Sequence, residues 1–195
     1  MKTFIMKTLK HKNIPANGRI SLGLKNMKIY KGGFTLIELL VVISIIGLLS
    51  TLAMVALKNA RMKSRDAKRM AEMKQVQTAL DLYYDANNSY PISDYDGCGG
   101  WDVGNKDYQF MTNKLPGFLS SPPRDSTATG NCAGYFYYRY NAGGYGCDIN
   151  RGNYYVLGVL NMETSGMPHP SSPGWQCSGR NWQSELEWVT GRFER

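Results

Sequence analysis

Acidic residues are missing from the first 37 positions, and proline is missing between Pro15 and Pro91. The chain has two histidines, His11 and His169, and none of its four cysteines stands in CxxC spacing. Each absence excludes something. Residues 1–33 carry eight basic residues (Lys2, Lys7, Lys10, Lys12, Arg19, Lys25, Lys28 and Lys31) and no acid, so this segment holds the whole net charge of +8. The remaining 15 basic and 15 acidic residues balance over residues 34–195, which removes any bulk electrostatic case for nucleic acid as a partner. Without proline, nothing breaks a long helix through the middle of the chain. Isolated cysteines and a single histidine beside them, His169 between Pro168 and Pro170, do not have the spacing of a structural zinc site. No GxSxG, nucleotide-binding glycine loop or paired-acid motif occurs, so catalysis is not expected.

The chain does have one long apolar run. From Leu36 to Leu57 only Glu38, Ser44, Ser50 and Thr51 carry polar side chains, and as a helix these residues would span about 33 Å, enough for the hydrocarbon core of a bilayer. A secretory signal peptide has a shorter core and a small-residue cleavage site; this run continues directly into charged residues and is expected to be retained. A carboxylate inside a membrane helix costs about 2.5 to 3.5 kcal/mol when central and less near an end, so Glu38 needs compensation. One local answer is a capping box, since Thr35-Leu36-Ile37-Glu38 fits T-x-x-E. The other requires cleavage between Gly33 and Phe34, which would create an α-amino group, mostly cationic at neutral pH, about one turn from Glu38 on the same or a neighbouring chain.

Lys31-Gly32-Gly33-Phe34-Thr35-Leu36-Ile37-Glu38-Leu39-Leu40 closely resembles the N-terminus of type IV pilins and type II secretion pseudopilins, and Gly47 sits where relatives also carry glycine. The resemblance implies cleavage after Gly33 by a prepilin peptidase that also N-methylates Phe34, a modification that keeps the charge. It implies that Glu38 and the Phe34 amine of an adjacent subunit guide assembly into a helical filament. The implied partners are copies of the chain itself, related minor pilins, an inner-membrane assembly platform and membrane lipid. The implied location is the inner membrane, single-pass with the N-terminus in the cytoplasm and the head outside, and then an extracellular or periplasmic filament. Two features depart from the family: Val55 stands where many relatives have proline, and the leader of 33 residues is long, with Met27 as an alternative start. Charge does not fix the orientation, because Lys58, Arg61, Lys63, Arg65, Lys68, Arg69 and Lys74 on the far side offset the eight basic residues of the leader.

The organisation expected is a leader over 1–33, a transmembrane and assembly helix over 34–57, an amphipathic continuation over 58–90 and a globular head over 91–195. Met73, Val76, Leu80 and Tyr83 or Tyr84 recur at three- and four-residue spacing, one apolar stripe on which a core can pack. The basic stretch Lys58–Arg69 with its lone acid, Asp66, is expected to be a solvated or headgroup-facing collar, with acidic groups of neighbouring subunits as the other possible contact. Asn87-Asn88-Ser89-Tyr90-Pro91 should end the helix. A long loop with a short helix near Asp107–Lys114 is expected next, then strands over Tyr135–Tyr140 and Tyr154–Asn161, with Trp188–Phe193 as a third. The fold class is therefore α+β: a long helix packed on a small antiparallel sheet.

Cys98, Cys132, Cys147 and Cys177, in a region rich in Gly, Ser, Asn, Tyr and Trp, favour disulfides and an oxidising compartment. Of three connectivities the expected one is Cys132–Cys147, flanking a hairpin, with Cys98–Cys177. No cofactor is expected; calcium at Asp94, Asp96 and Asp102, with Asp107 nearby, is a weaker alternative to an ordinary acidic turn. Trp101, Trp175, Trp182, Trp188 and the tyrosine-rich strands read first as core, and second as flat faces for carbohydrate or adhesive contact. The leading function is a structural filament subunit. The alternative is a monomeric membrane-anchored adhesin with an aromatic-rich extracellular head.

Overall fold

The computed structural model describes residues 32–93, 98–104, 114–120 and 123–195. The leader through Lys31, with Met27, and the positions of Asp94, Asp96 and Asp107 lie outside them, as does all but Lys114 of the short helix expected near Asp107–Lys114. The chain divides into two units, Met1–Ile45 and Ile46–Arg195. One helix, α1 (Leu36–Asn87), belongs to both. It stops where the polar turn formers begin: Asn88 takes a left-handed conformation (φ 54°), and its N–H closes the last turn on the Tyr84 carbonyl at 2.7 Å.

The second unit is α+β. Its sheet contains β1 (Asp102–Val103), β2 (Gly134–Tyr140), β3 (Tyr154–Leu160) and, after a separate two-stranded ribbon of β4 (Gln176–Cys177) and β5 (Arg180–Asn181), β6 (Trp188–Phe193). The order is β1-β2-β3-β6, antiparallel throughout. Period-two alternation divides its side chains between two cores. Tyr135, Tyr137, Tyr155, Leu157 and Val159 join Met73, Val76, Ala79 and Leu80 of α1, so the helical stripe packs on one face as the spacing requires. Phe136, Tyr154, Val156 and Val189 join Trp101, Trp182 and Leu186 in the other. Covering both faces accounts for the unbroken aromatic and β-branched run of β2 and β3. Gly158 belongs to this design, because a Cβ there would meet Leu186 Cδ1 at 2.4 Å. The two-residue strands carry no periodicity to read, and β1, β4 and β5 were not expected.

The disulfide pairing departs from the expected one. Cys98 bonds Cys132 and Cys147 bonds Cys177, with Cα separations of 5.4 and 4.9 Å. Cys132 and Cys147 lie beyond opposite ends of β2, whose seven residues span roughly 23 Å. A bridge needs Cα atoms within about 7 Å, so flanking a strand is what separates these cysteines. Cys98–Cys132 instead ties the segment before β1 to the start of β2. Cys147–Cys177 ties the β2–β3 connection to the β4–β5 ribbon, where Gly179 N–H donates to the Tyr145 carbonyl at 2.9 Å. The bridges link residues 34 and 30 apart, each contributing about 3.5 kcal/mol on chain-entropy grounds. Non-reducing peptide mapping of the exported chain should yield the linked pairs 98–132 and 147–177 and no alkylatable thiol; a 132–147 peptide would contradict this topology.

Candidate processing and assembly segment

Gly32, Gly33, Phe34 and Thr35 precede the helix in a non-helical, exposed stretch. A Cβ at Gly33 would meet nothing within 4 Å. The bond after Gly33 is thus in non-helical, accessible chain just before the helix start, where a protease could bind it without unwinding helix. Phe34 is 89% exposed and is not part of either core among the described residues.

The helix start is closed by a reciprocal capping box. Glu38 Oε2 accepts from the Thr35 N–H at 2.8 Å and from the Thr35 hydroxyl at 2.7 Å, and Thr35 Oγ1 accepts from the Glu38 N–H at 3.3 Å. The local answer to the Glu38 problem is therefore realised, with one carboxylate oxygen serving both Thr35 groups. Further along, Ser44 Oγ donates to the Val41 carbonyl at 2.8 Å and Thr51 Oγ1 to the Leu48 carbonyl at 2.7 Å. Hydroxyls bonded back to their own helix can enter lipid, because nothing is left for water to satisfy. Every large apolar side chain from Leu36 to Leu57 is at least half exposed, and α1 has the length and composition to cross a membrane.

Beyond the apolar run, the structure departs from the collar expected of the sequence. Arg65 and Arg69 are not part of a solvated face: they pair with acids of their own chain. Arg69, with a side chain only 4% exposed, donates to Asp66 Oδ1 at 2.6 Å and to Asp125 Oδ2 at 2.9 Å, and lies 3.1 Å from Glu163 Oε1. Asp66 also accepts from the Glu163 N–H at 3.0 Å and from the Thr164 N–H and hydroxyl at 2.8 and 2.7 Å. Arg65 completes the group by pairing with Glu163 through Nε at 2.6 Å. Lys58, Arg61, Lys63 and Lys68 remain exposed. The available signal was the lone Asp66 three residues before Arg69. Asp102, the described member of the calcium alternative, is buried on β1.

Burial raises the carboxyl pKa values of Asp66 and Asp125, but the hydrogen bonds from Thr164, the Glu163 N–H and Arg69 to Asp66, and from Arg69 and Thr127 to Asp125, outweigh it and hold both below the ordinary range. Glu163 is lowered chiefly by Arg65. Glu194 is raised by burial and lowered further by Arg139, the Tyr90 N–H and Asn153, for a net lowering.

Residues 29–54 match the family model described as the prokaryotic N-terminal methylation motif. The chain is 36% identical over 64 residues to the type II secretion system core protein G of Aeromonas hydrophila, covering 33% of this chain and 45% of that protein. It is 37% identical over 62 residues to the corresponding protein of Pectobacterium carotovorum subsp. carotovorum, covering 32% and 40%. The matched stretch is thus less than half the length of either curated relative. No solved structure matches.

Two expectations arise from the ion network. Arg69→Ala would strand Asp66 and Asp125 in a buried site and should cost roughly 3 to 5 kcal/mol, whereas Lys68→Ala, an exposed lysine 3.7 Å from Glu72, should change stability by about 0.5 kcal/mol or less. Denaturant titration of the detergent-solubilised chain by tryptophan fluorescence checks this, because all four tryptophans lie beyond residue 100. The second concerns pH. With folded carboxyl pKa values below the unfolded ones, the unfolded chain binds more protons in that window. The stabilisation is complete above the unfolded values of about 3.9 to 4.3 and is lost as pH falls through the folded ones. Melting temperature should be flat from about pH 7 to 5 and fall below about pH 4, with a shallower acid limb in Arg69→Ala; parallel acid limbs would exclude the network as its source. The methylation motif and the sequence similarities agree: over about a third of its length the chain is similar to type II secretion pseudopilins, and its long helix and small disulfide-bonded antiparallel sheet form a pilin-like α+β fold.

Proposed function

We propose that the chain is a prepilin-type subunit, cleaved after Gly33, methylated at the Phe34 amine and assembled through its N-terminal helix into a filament based at the inner membrane. The carrying observation is the junction itself: an accessible Gly33–Phe34 bond directly ahead of a capped helix whose large apolar side chains are all at least half exposed through Leu57. Burying such a side chain is worth about 1.5 to 3 kcal/mol, so lipid before assembly and neighbouring helices after it both stabilise this segment. The relatives named as type II secretion system core protein G support a secretion-type filament as its place. The motif supports an orientation with the head outside the cytoplasm, which also suits two disulfides. The role is structural, with like subunits, related minor subunits, the processing peptidase and an assembly platform as partners.

Glu38 has a part in both states. Capping engages Oε2 with Thr35, which leaves Oε1 for a cation such as the Phe34 amine of an adjacent subunit. The same capping box also favours a second reading, in which Glu38 is satisfied within its own chain and the protein is a static membrane anchor for the head. Coexpression with its prepilin peptidase separates the two. The filament reading expects a mature chain starting at N-methylated Phe34, and Glu38→Ala that is processed and membrane-inserted but forms few filaments. An uncut chain would support the anchor, whereas normal filaments from Glu38→Ala would keep the filament reading and remove the charge pairing.

A further inference from the structure

An open cleft of about 590 Å³ lies between the C-terminal end of α1 and β6, within the size range of small-molecule sites. Its charges balance: Arg151, Arg192 and Arg195 against Asp81, Asp85 and Glu194. A polyanion or a polycation finds no net field there.

Its groups are of two kinds. The first is a surface ion pair: Arg192 Nη1 lies 2.5 Å from Asp81 Oδ2, with side chains 58% and 39% exposed. Acceptor and donor arrays set side by side match adjacent hydroxyls, each of which both donates and accepts. The second is aromatic. The indole of Trp175 lies against Gly191, where a Cβ would meet its ring at 2.4 Å, and beside Phe193 at 5.1 Å between centroids. Arg151 covers Phe193 at 3.9 Å. Flat apolar rings beside paired polar groups suit a molecule with apolar C–H faces and a hydroxyl rim. Two further atoms agree with this. Asp81 Oδ1 and Trp175 Nε1 are buried polar atoms without a hydrogen-bond partner, an acceptor and a donor on lining residues of the same cleft. Orphaned groups of this kind are uncommon in folded chains, and a hydroxyl ligand offers both what they lack.

We infer that this cleft is a binding site for an uncharged saccharide, gripped by Asp81 and Arg192 at its hydroxyls and by Trp175 at a ring face. This function of the head is independent of whether the chain polymerises. Asp81 Oδ1 is screened from solvent while its Oδ2 pairs with Arg192, so binding at this carboxylate is coupled to a turn of the partly exposed Arg192 and Asp81 side chains.

The test uses the full chain in lipid nanodiscs, probed with the uncharged disaccharides cellobiose, lactose and N,N′-diacetylchitobiose, and with dextran sulfate as the anionic comparison. Saturation-transfer NMR and tryptophan fluorescence read binding. Saturable binding of at least one uncharged disaccharide is expected, weakened about tenfold by Asp81→Asn and by Trp175→Phe, which keeps a ring but removes the indole N–H. Ile92→Ala, outside the cleft, should bind as the parent does. Arg192→Ala provides a further surface variant if Trp175→Phe loses its fold, and melting temperatures identify that case. No saturable binding of any of the three disaccharides, unchanged binding in Asp81→Asn, or preference for dextran sulfate would overturn the inference.

Discussion

Arg69 carries a full positive charge on a side chain that is almost wholly buried, and the packing of the head on α1 depends on what keeps it there. A buried guanidinium is tolerable only with carboxylates and further hydrogen bonds around it. Asp66 comes from the preceding helical turn, Asp125 from the connection before β2 and Glu163 from the chain after β3. Two segments distant in sequence are thereby fixed to one turn of the helix. Asp66 adds a second constraint, since it receives the backbone N–H groups of Glu163 and Thr164 and so anchors the exit of the sheet's central hairpin.

Glu194 has the same function at the other end of the packed helix. It accepts from the Tyr90 N–H at 3.0 Å, Arg139 Nε at 2.7 Å and Asn153 Nδ2 at 2.9 Å, joining the segment after α1 to β2, to the approach to β3 and to the residue following β6. Between these charged groups lies the apolar contact of Met73, Val76, Ala79 and Leu80 with the sheet. Hydrophobic burial supplies most of the favourable free energy there, while the ion groups are directional and select one seating of helix on sheet. Packing onto α1 also builds the cleft, because Asp81 comes from the helix and Arg192 and Trp175 from the sheet region.

The N-terminal segment obeys the opposite principle. Its helical backbone and the Thr35, Ser44 and Thr51 hydroxyls are satisfied locally, by the Thr35–Glu38 box and by Ser44 and Thr51 bonding back along the helix, so these groups do not need water. Its apolar side chains are satisfied by nothing in their own chain. Such a segment can move between lipid and a protein environment without remaking its hydrogen bonds, as the proposed insertion and polymerisation require.

The sequence by itself determined the features that depend on near neighbours. The Gly33–Phe34 motif, the capping box, the uninterrupted helix, its stop at Asn88 and the three long strands all rest on spacings of a few residues, where periodicity and turn chemistry act. Tertiary structure decided what depends on distant residues meeting. The cysteine pairs could not be read because β2 separates two cysteines that are near in sequence. The role of Arg69 could not be read because its partner Asp125 lies 56 residues away, and the run of cations around it has the composition of a solvated face. The cleft joins residues 81, 175 and 192 for the same reason. Local rules select the elements, but the register in which a helix stripe meets a sheet sets which charges and rings become neighbours, and that register is a property of the packed core as a whole.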